Sequence, residues 1–293
     1  MPEAGATTRV EVAGRTLRLS SLDKILYPAT ETTKGEILHY YAQIAPVLLP
    51  LMAGRPVTRV RWPHGVEQQS FFEKNLPPGA PAWLPRVGFD GVTYPLVNDL
   101  AELTYLVNLN SLEFHVPQWR VSADLRERSN PDRLVIDLDP GRPAGLRECA
   151  QVALHVRERL GLLGLELFPV TSGSKGMQLY AALGGDLTSD QVRDIASTLA
   201  QELTRRFPDL VLWRMTKSLR PGKIFLDWSQ NVAAKTTICP YSLRGRETPT
   251  VAAPRTWAEV EAAATDEGVL EQVLFEDALV RLERFGDLLA SLA

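Results

Sequence analysis

The hydrophobic pattern of residues 131–256 alternates between the spacings that are typical of strands and of helices. Four short apolar runs predict buried strands at 134–138, 165–170, 177–183 and 223–228. Two longer stretches, 146–160 and 188–203, carry apolar residues at helical spacing, and the second begins with the capping-box pair Thr188 and Gln191. The order β-α-β-β-α-β predicts a split βαβ sheet, of the ferredoxin or RNA-recognition-motif type.

In this topology the first and fourth strands are neighbours, and both helices cover one face of the sheet. The other face is free to form a site or to pack against the first half of the chain. In that half, Thr33 and Glu36 predict a capped helix, and the prolines of residues 77–85 predict an irregular surface segment. We expect one α/β (α+β) domain over residues 1–293, with a mixed N-terminal half (1–130), a sheet-bearing half (131–256) and a C-terminal segment (257–293).

The composition is that of a folded protein, with 45% hydrophobic and 23% charged residues over 293 positions. Cys149 and Cys239 cannot form a disulfide framework or a thiolate zinc site unaided, and they fit a reducing cytoplasm. Residues 1–20 lack the apolar run of a signal peptide, and the best apolar stretch, 37–52, is too short and too polar to span a membrane.

The net charge of −3 argues, taken alone, against a nucleic-acid-binding protein. The charge is unevenly distributed, however. Between Arg214 and Arg246 seven cations and one acid give a net +6, whereas residues 257–293 hold nine acids and two arginines. The mean therefore hides a basic surface, and we expect local, salt-sensitive binding of polyanions there rather than a solvated basic face.

Three aspartates of the predicted sheet point to a metal site. Side chains alternate along a strand, so Asp137 and Asp139 share the face opposite the helices, and Asp227 shares it on the neighbouring fourth strand. Carboxylates that close repel one another unless a cation lies among them, and Mg²⁺ and Mn²⁺ prefer oxygen ligands. The alternative is a strand end in which Asp137 and Asp139 cap the turn before Pro140. The third acid favours the metal site.

Two further groups of residues suit an anion, and each has a structural alternative. Ser172, Ser174 and Lys175 lie in a glycine-bearing hairpin that could cradle phosphate or could be a plain turn. Lys34, in the first turn of the capped helix, opposes the helix dipole unless an anion binds there together with Lys24. The alternative for Lys34 is an exposed lysine of negligible effect.

Aromatic and histidine side chains add two candidates without a clear assignment. Phe71 and Phe72 could stack on bases if they are exposed, but core packing is the commoner fate of a phenylalanine pair. The spacing around His115 assigns it no role. Neither observation alone indicates a function.

Several ordered strings resemble the polymerase domain of bacterial ligase D, which belongs to the archaeo-eukaryotic primase superfamily. They are 135–141 (VIDLDPG), 171–176 (TSGSKG), 216–231 (TKSLRPGKIFLDWSQN), 235–246 (KTTICPYSLRGR) and 251–257 (VAAPRTW). With 23–30 (DKILYPAT), 61–63 (RWP) and 71–74 (FFEK), the resemblance extends over nearly the whole chain. It implies a primase-polymerase fold in which the sheet-bearing half is catalytic.

The resemblance also implies roles for the matching residues. Asp137, Asp139 and Asp227 match the catalytic, metal-binding carboxylates. The residues expected at the incoming nucleotide are His115, Ser172, Lys175, Gln178, Gln230, Arg244 and Arg246. At Gln178 relatives usually carry histidine, so triphosphate handling or metal preference is expected to differ.

The remaining matches concern DNA. Lys24 and Lys34 match lysines that bind the 5′-phosphate beyond a gap, and Phe71 and Phe72 match an aromatic pair that stacks on the template. Arg220 matches a basic residue of a mobile loop near the primer terminus, and we expect Lys217 to contact DNA beside it.

The implied activity is that of a template-directed, DNA-dependent nucleotidyltransferase that prefers ribonucleotides and uses a two-metal site of Mn²⁺ or Mg²⁺. It would fill short gaps and extend primers at DNA breaks in end joining. Expected partners are gapped or broken DNA with a 5′-phosphate, nucleoside triphosphates, a separate DNA ligase and Ku, in a cytoplasmic, nucleoid-associated protein without membrane contact. No ligase or nuclease domain follows within the 293 residues, so we expect a stand-alone relative or an excised domain.

Three alternatives remain open. One is a primase that makes primers de novo, and another is a non-catalytic DNA-end-binding protein, against which the intact acidic triad argues. The third is a haloacid-dehalogenase-type phosphatase, since such enzymes also carry D-x-D after an apolar strand. Those enzymes need Thr or Val soon after the second Asp, where this chain has Pro140 and Gly141.

Overall fold

The computed structural model describes residues 7–265 and 267–292. The helices are α1 (Lys34–Met52), α2 (Leu100–Asn108), α3 (Leu146–Gly161), α4 (Ser189–Arg206), α5 (Trp257–Ala264) and α6 (Phe275–Phe285). The strands of the first half are β1 (Thr7–Val12), β2 (Arg15–Ser20), β3 (Ile25–Tyr27), β4 (Thr32–Thr33), β5 (Thr58–Arg61), β6 (Phe71–Glu73), β7 (Arg86–Phe89), β8 (Val92–Pro95), β9 (Ser111–Val116), β10 (Trp119–Val121) and β11 (Arg128–Pro131). The later strands are β12 (Arg133–Pro140), β13 (Phe168–Thr171), β14 (Met177–Ala182), β15 (Val211–Leu212), β16 (Ile224–Asp227), β17 (Thr237–Ile238), β18 (Thr250–Val251), β19 (Ala253–Pro254) and β20 (Val273–Leu274).

The predicted β-α-β-β-α-β unit is confirmed. Its strands form one sheet in the order β15-β16-β12-β14-β13-β19, so the predicted first strand, β12, lies between the fourth, β16, and the third, β14. Two short strands that the periodicity did not indicate extend the edges: β15 runs parallel to β16, and β19 runs antiparallel to β13. Two residues are too few to show a hydrophobic period, which is why the sequence pattern missed them.

The side chains of β12 alternate between two hydrophobic cores, as the strand period requires. Leu134, Ile136 and Leu138 lie in the core beneath α3 and α4. Val135 points the other way, into the core around α1. The face of the sheet opposite α3 and α4 therefore packs against the first half of the chain at one end and remains available for a site at the other.

The strand predicted at 165–170 begins only at Phe168. The backbone N–H of Leu165 still donates to the carbonyl of Leu160, 3.2 Å away, at the end of α3. The apolar run therefore covers the exit from a helix as well as a strand, and apolar periodicity cannot separate the two.

Helix α1 begins at Lys34 with the predicted capping box. The Glu36 carboxylate accepts the backbone N–H of Thr33 at 2.7 Å, and the Thr33 hydroxyl accepts the backbone N–H of Glu36 at 3.3 Å. Pro46 and Pro50 lie inside the helix on its exposed side. Within the described ranges, no helix combines the length and the apolar character needed to cross a membrane.

The acidic C-terminal segment packs against both cores. Val260 of α5 joins the core beneath α3, and Phe275 of α6 joins the core around α1. Burial alone would raise the pKa of Glu259, but hydrogen bonds from Arg281 and charge from Arg255 hold it at about 2. Glu259 is thus neutralised locally by Arg281 of the same segment and by Arg255 just before it.

Asp132 compensates three arginines where the two halves of the chain meet. Arg55, which is fully buried, donates to both carboxylate oxygens of Asp132 at 2.7 Å, and Arg120 donates to one of them at 2.7 Å. Arg133 is also buried, with its Nε and Nη2 atoms lacking hydrogen-bond partners, and its guanidinium lies 5.9 Å from the centroid of the Tyr180 ring. Burial would raise the pKa of Asp132, but the arginines keep it below its ordinary value.

We expect Asp132→Asn to lower the free energy of unfolding by about 3–5 kcal/mol, because it leaves Arg55 buried without a counter-charge. Urea denaturation of the two proteins measures the loss. The matched control is Asp190→Asn, which breaks the exposed pair with Arg193 and should cost less than about 1 kcal/mol. Equal losses in the two variants would contradict this prediction, because they would show that Arg55 does not depend on the charge of Asp132.

Candidate active site

Asp137 and Asp227 face each other across the pairing of β12 with β16. The register sets these two residues opposite one another and sets Asp139 opposite Phe225. Because side chains alternate along each strand, Asp139 shares the face of Asp137, while Leu138 and Leu226 point into the core beneath the helices. The three predicted carboxylates therefore lie on one face of two adjacent strands, as the sequence pattern predicts.

Burial and mutual repulsion make the carboxyl groups of Asp137 and Asp139 weaker acids. Burial raises the pKa of Asp137, and the charges of Asp139 and Asp227 raise it further. Burial and Asp227 also raise the pKa of Asp139, although Arg220 and Lys175 oppose part of that effect. Three ionised carboxylates in this place cost free energy unless positive charge enters among them.

Two glutamine amides lie between the carboxylates. Gln230 Nε2 donates to Asp227 at 3.2 Å and to Asp137 at 3.4 Å, and Gln178 Nε2 donates to Asp137 Oδ1 at 3.2 Å. The hydroxyl of Tyr180 donates to Gln178 Oε1 at 2.9 Å, which fixes the direction in which the amide points. Gln178 is buried on the open face of the sheet, where the sequence analysis expected it.

The type of donor suits a hard divalent cation, but the side chains do not yet surround one. Asp139 Oδ2 lies 4.0 Å from Arg220 Nη1. Among residues 7–265 and 267–292, no group of three or more His, Cys, Asp or Glu side chains is arranged to hold a metal ion as it stands. Binding a cation there would require side chains to rearrange about the pairing of β12 with β16, which already sets the aspartates on one face.

A cleft of about 340 Å³ opens over Asp137 and Asp139. Its wall contains every residue that the sequence analysis assigned to the incoming nucleotide: His115, Ser172, Lys175, Gln178, Gln230, Arg244 and Arg246. They come from β9, from β14, and from the segments that follow β13, β16 and β17. Thr236, Thr237 and Ile238 also line the wall; they lie in the string 235–246, but the sequence analysis assigned them no role.

Glu113, which the sequence analysis passed over, joins two walls of the cleft. Its Oε2 lies 2.8 Å from His115 Nε2 and 3.4 Å from Arg244 Nη1, and its Oε1 accepts the backbone N–H of Gly245 at 3.0 Å. Burial would raise the pKa of Glu113, but the contacts with His115 and Arg244 hold it below its ordinary value. Its spacing of two from His115 on a strand was the signal that could have found it.

Cationic donors in the cleft remain available to an anion. Arg244 Nε and Arg220 Nε are buried and have no hydrogen-bond partner. In the described part of the chain no carboxylate lies within ion-pair distance of Lys175 or Arg246. Buried polar atoms are normally satisfied, so these two Nε donors without partners, together with Lys175 and Arg246, suit an anionic ligand.

Three glycines allow the segments that carry these cations to touch their neighbours. A Cβ added at Gly141, Gly176 or Gly245 would lie 2.0 Å from the Arg220 carbonyl oxygen, 2.0 Å from the Leu138 carbonyl oxygen and 2.2 Å from the Trp62 ring, respectively. Lack of space, rather than backbone conformation, therefore excludes larger residues. These contacts set the positions of Arg220, Lys175 and the turn between Arg244 and Arg246.

Lys34 is buried, which shows that the exposed-lysine alternative is wrong. Its Nζ donates to the carbonyl of Ser20 at 2.7 Å, and its backbone N–H donates to the carbonyl of Lys24 at 2.8 Å. Burial, and then the charge of Lys24, lower the pKa of Lys34 to about 8. Two lysines held this close at the start of α1 suit an anion with more than one charge.

Phe71 and Phe72 are 42% and 60% exposed, so the core-packing alternative is also wrong. The ring of Phe72 lies 6.5 Å from the imidazole of His115, which places the pair at the edge of the cleft. Lys217 is exposed outside the cleft wall, whereas Arg220 folds back over the Phe225 ring, 3.9 Å from its centroid.

The sequence model of the family described as "LigD, primase-polymerase domain" matches residues 33–289 of this chain. The chain belongs to this family. The multifunctional non-homologous end joining protein LigD of Mycolicibacterium smegmatis is 48% identical over 280 residues, which are 94% of this chain and 36% of that protein. The bifunctional non-homologous end joining protein LigD of Bacillus subtilis is 36% identical over 251 residues, 85% of this chain and 40% of that protein. The chain thus spans about two fifths or less of these relatives.

The fold agrees with this membership of the LigD primase-polymerase family. The structure described as "Polymerase Domain from Mycobacterium tuberculosis Ligase D in complex with DNA" superimposes with a TM-score of 0.89 and 48% identity, over 94% of this chain and 97% of that one. The predicted resemblance and fold class are confirmed. The phosphatase alternative finds no support in these relatives.

Replacing Asp137 and Asp139 together by asparagine is expected to stabilise the metal-free protein, because it removes two buried charges that repel each other. Both carboxyl groups have a folded-state pKa above the unfolded value, so stability is lost as pH rises through the folded pKa. The stability that the double variant gains over the parent protein should be largest above the folded-state pKa values. It should vanish near about pH 4, where the carboxyl groups of the unfolded chain also become protonated. We expect about 1 kcal/mol or more at high pH, roughly 2–4 °C in Tm.

Thermal melts in EDTA at pH 5 and pH 8 measure this effect, with Asp190→Asn as an exposed control. A Tm at pH 8 that is unchanged or lower in the double variant would contradict the repulsion. Added Mn²⁺ should raise the Tm of the parent protein and not that of the double variant.

Proposed function

We propose that the chain is a template-directed, DNA-dependent nucleotidyltransferase that prefers ribonucleotides. One observation carries this proposal: a single cleft is lined by Asp137 and Asp139, with Asp227 directly across the strand pair from Asp137, and by cations that have no carboxylate partner. The cleft also lies beside an exposed aromatic pair. Its similarity to a LigD polymerase domain described in complex with DNA supports the same assignment.

The cationic wall would bind the incoming nucleoside triphosphate. Lys175, Arg244 and Arg246 supply charge for the phosphates, and the guanidinium groups offer paired donors. Ser172 accepts the backbone N–H groups of Ser174 and Gly176 at 3.3 Å each, so the hairpin is an ordered turn that also presents Lys175 to the cleft. His115, held by Glu113, would contact the base.

In the reaction the primer 3′-hydroxyl attacks the α-phosphorus, the bond to the β-phosphate oxygen breaks, and pyrophosphate leaves. Asp137, Asp139 and Asp227 would hold Mn²⁺ or Mg²⁺, which when bound supply activation of the hydroxyl and stabilisation of the leaving group. Gln178 would keep Asp137 oriented, because Tyr180 fixes its amide. The amide carries no charge, unlike a protonated histidine at this position, so the metal preference should differ from that of relatives.

The remaining candidates would contact DNA. Lys24 and Lys34 would bind the 5′-phosphate on the far side of a gap, and Phe71 and Phe72 would stack on the template. Arg220 and Lys217 lie on the loop before β16 and would approach the primer terminus. These assignments make residues 1–130 the half that holds the template and the 5′-phosphate, and 131–256 the catalytic half.

We place this activity in gap filling and primer extension at DNA breaks during end joining. The names of the similar LigD proteins, which describe non-homologous end joining, support this context. Its substrates would be gapped or broken DNA and nucleoside triphosphates, with Ku and a DNA ligase as partners at the nucleoid.

Asp137→Ala combined with Asp139→Ala should reduce Mn²⁺-dependent extension of a gapped duplex by about a hundredfold or more, since the cations would lose two of three carboxylates. Binding of the same duplex should stay within about twofold, because the phosphate-binding cations are unchanged. Primer extension and fluorescence anisotropy measure the two quantities, with Asp190→Ala as control. Full activity in the double variant would refute the catalytic assignment.

Lys24→Met combined with Lys34→Met should erase any preference for a downstream 5′-phosphate over a 5′-hydroxyl. In the parent protein the preference should fall between pH 7 and pH 9, because Lys34 has a pKa of about 8 and loses its charge in that range. Binding titrations with the two gapped duplexes measure it. Lys223→Met is the matched control, since its Nζ also donates to a backbone carbonyl. A preference that survives in the double variant would reject this role.

A further inference from the structure

A second cavity adjoins the nucleotide cleft. It has a volume of about 270 Å³ and shares Thr236 with the cleft. The β7–β8 hairpin contributes one part of its wall, and β10 with the start of β11 contributes another. Its aromatic lining consists of Phe89, Tyr94 and Trp119, none of which takes part in the site described above.

The aromatic side chains are held in place by local contacts. The hairpin register sets Phe89 opposite Val92 and Val87 opposite Tyr94, so Phe89 and Tyr94 lie on the same face. The Phe89 and Trp119 rings meet edge to face with centroids 5.5 Å apart. The indole of Trp119 donates to the carbonyl of Ala233 at 2.8 Å, which anchors this wall to the segment that leads to Thr236.

Polar groups at the cavity include donors that have no partner. The guanidinium of Arg128 lies 5.1 Å from the Phe89 centroid and 5.2 Å from the Trp119 centroid, and it pairs with Asp90. Lys74 makes no ion pair within the described residues, and the hydroxyl of Tyr94 makes no hydrogen bond there. The cavity thus combines ring surfaces with one unpaired cation and one free hydroxyl.

We propose that this cavity, the hairpin pocket, binds one unpaired base of the DNA strand that runs past the nucleotide cleft. The aromatic side chains, and the guanidinium of Arg128 that lies over two of their rings, provide stacking surfaces that accept any base. Lys74 would pair with a phosphate beside that base, and the Tyr94 hydroxyl would bond to its edge. The volume is at the small end for ligand pockets, which suits one base rather than a dinucleotide.

The position of the pocket supports a strand that reaches both places. Lys74 follows the exposed Phe71–Phe72 pair by two residues, and Phe72 contacts His115 at the edge of the cleft. Thr236 lies in both walls. A strand that passes Phe72 therefore has the hairpin pocket within reach of its next bases. The inference rests on the proposed function, in that it takes the strand at the cleft to be DNA.

An abasic scan of the wild-type protein tests the proposal without any variant. Primed templates with a single-stranded overhang carry one abasic site, placed at each successive overhang position, and their affinities are measured by fluorescence anisotropy. A base held in the hairpin pocket should give one position at which the abasic site weakens binding by about tenfold. A flat profile would overturn the proposal.

The variants then assign that position to the pocket. Phe89→Ala combined with Tyr94→Leu should weaken binding of the intact template by a similar factor. An abasic site at that position should then cause no further loss of affinity in this variant. The control is Phe285→Ala, which removes another half-buried phenylalanine under arginine guanidinium groups, far along the chain in α6. An abasic penalty that persists unchanged in the double variant would place the base elsewhere and overturn the proposal.

Two further measurements keep the outcomes distinct. If Phe89→Ala with Tyr94→Leu lowers the Tm by more than the control does, Lys74→Met is used instead, and it should reduce the abasic penalty in the same direction. Primer extension by the wild-type protein is recorded on the same DNA. Absence of extension on every template would count against the proposed function, whereas extension with a flat abasic profile would count against the hairpin pocket alone.

Discussion

Repulsion among Asp137, Asp139 and Asp227 is the constraint around which the site is built. The pairing of β12 with β16 forces the carboxylates onto one face, and the hydrophobic packing of the other face keeps them there. Burial, together with repulsion that neighbouring cations only partly offset, keeps the pKa values of Asp137 and Asp139 raised. A site of this kind favours added positive charge, because a cation among the carboxylates would relieve their repulsion.

The same structure explains how two halves of one chain make a single site. The sheet contributes the carboxylates, and the first half contributes His115 through β9. Glu113 on the same strand contacts His115 and joins β9 to the Arg244–Gly245 segment by two contacts. A second polar connection, between Arg55 and Asp132, lies at the start of β12. Both connections are largely buried, so the relative position of the halves depends on charges that must remain paired.

Sequence reasoning predicted the sheet and the carboxylate face because both depend on short-range regularities: strand alternation, capping pairs and a fixed topology. The residues that line the cleft came from the family resemblance, and their role at a nucleotide stays a prediction. Sequence reasoning failed where the deciding contact is distant in sequence. Lys34 looked exposed because nothing local reveals that it is buried beside Ser20, and the Phe71–Phe72 pair looked like core because apolar residues usually are. Glu113 was missed because its partner Arg244 is far along the chain. The predicted start of this strand, residue 165, was wrong, because helix exits and strands share apolar runs; the strand begins at Phe168.

The close contacts at Gly141, Gly176 and Gly245 have a consequence for how relatives of this chain should be interpreted. At each position the neighbouring atoms leave no room for a methyl group, whatever chemistry the site performs. A relative that had lost its carboxylates but kept this arrangement of segments would still need all three glycines. A sequence pattern built on these glycines therefore detects the architecture. It would match relatives that have lost the carboxylates as well as relatives that keep them. If the proposed function holds, only the acidic positions separate the two groups, so the glycines would mark ancestry and the aspartates would mark activity.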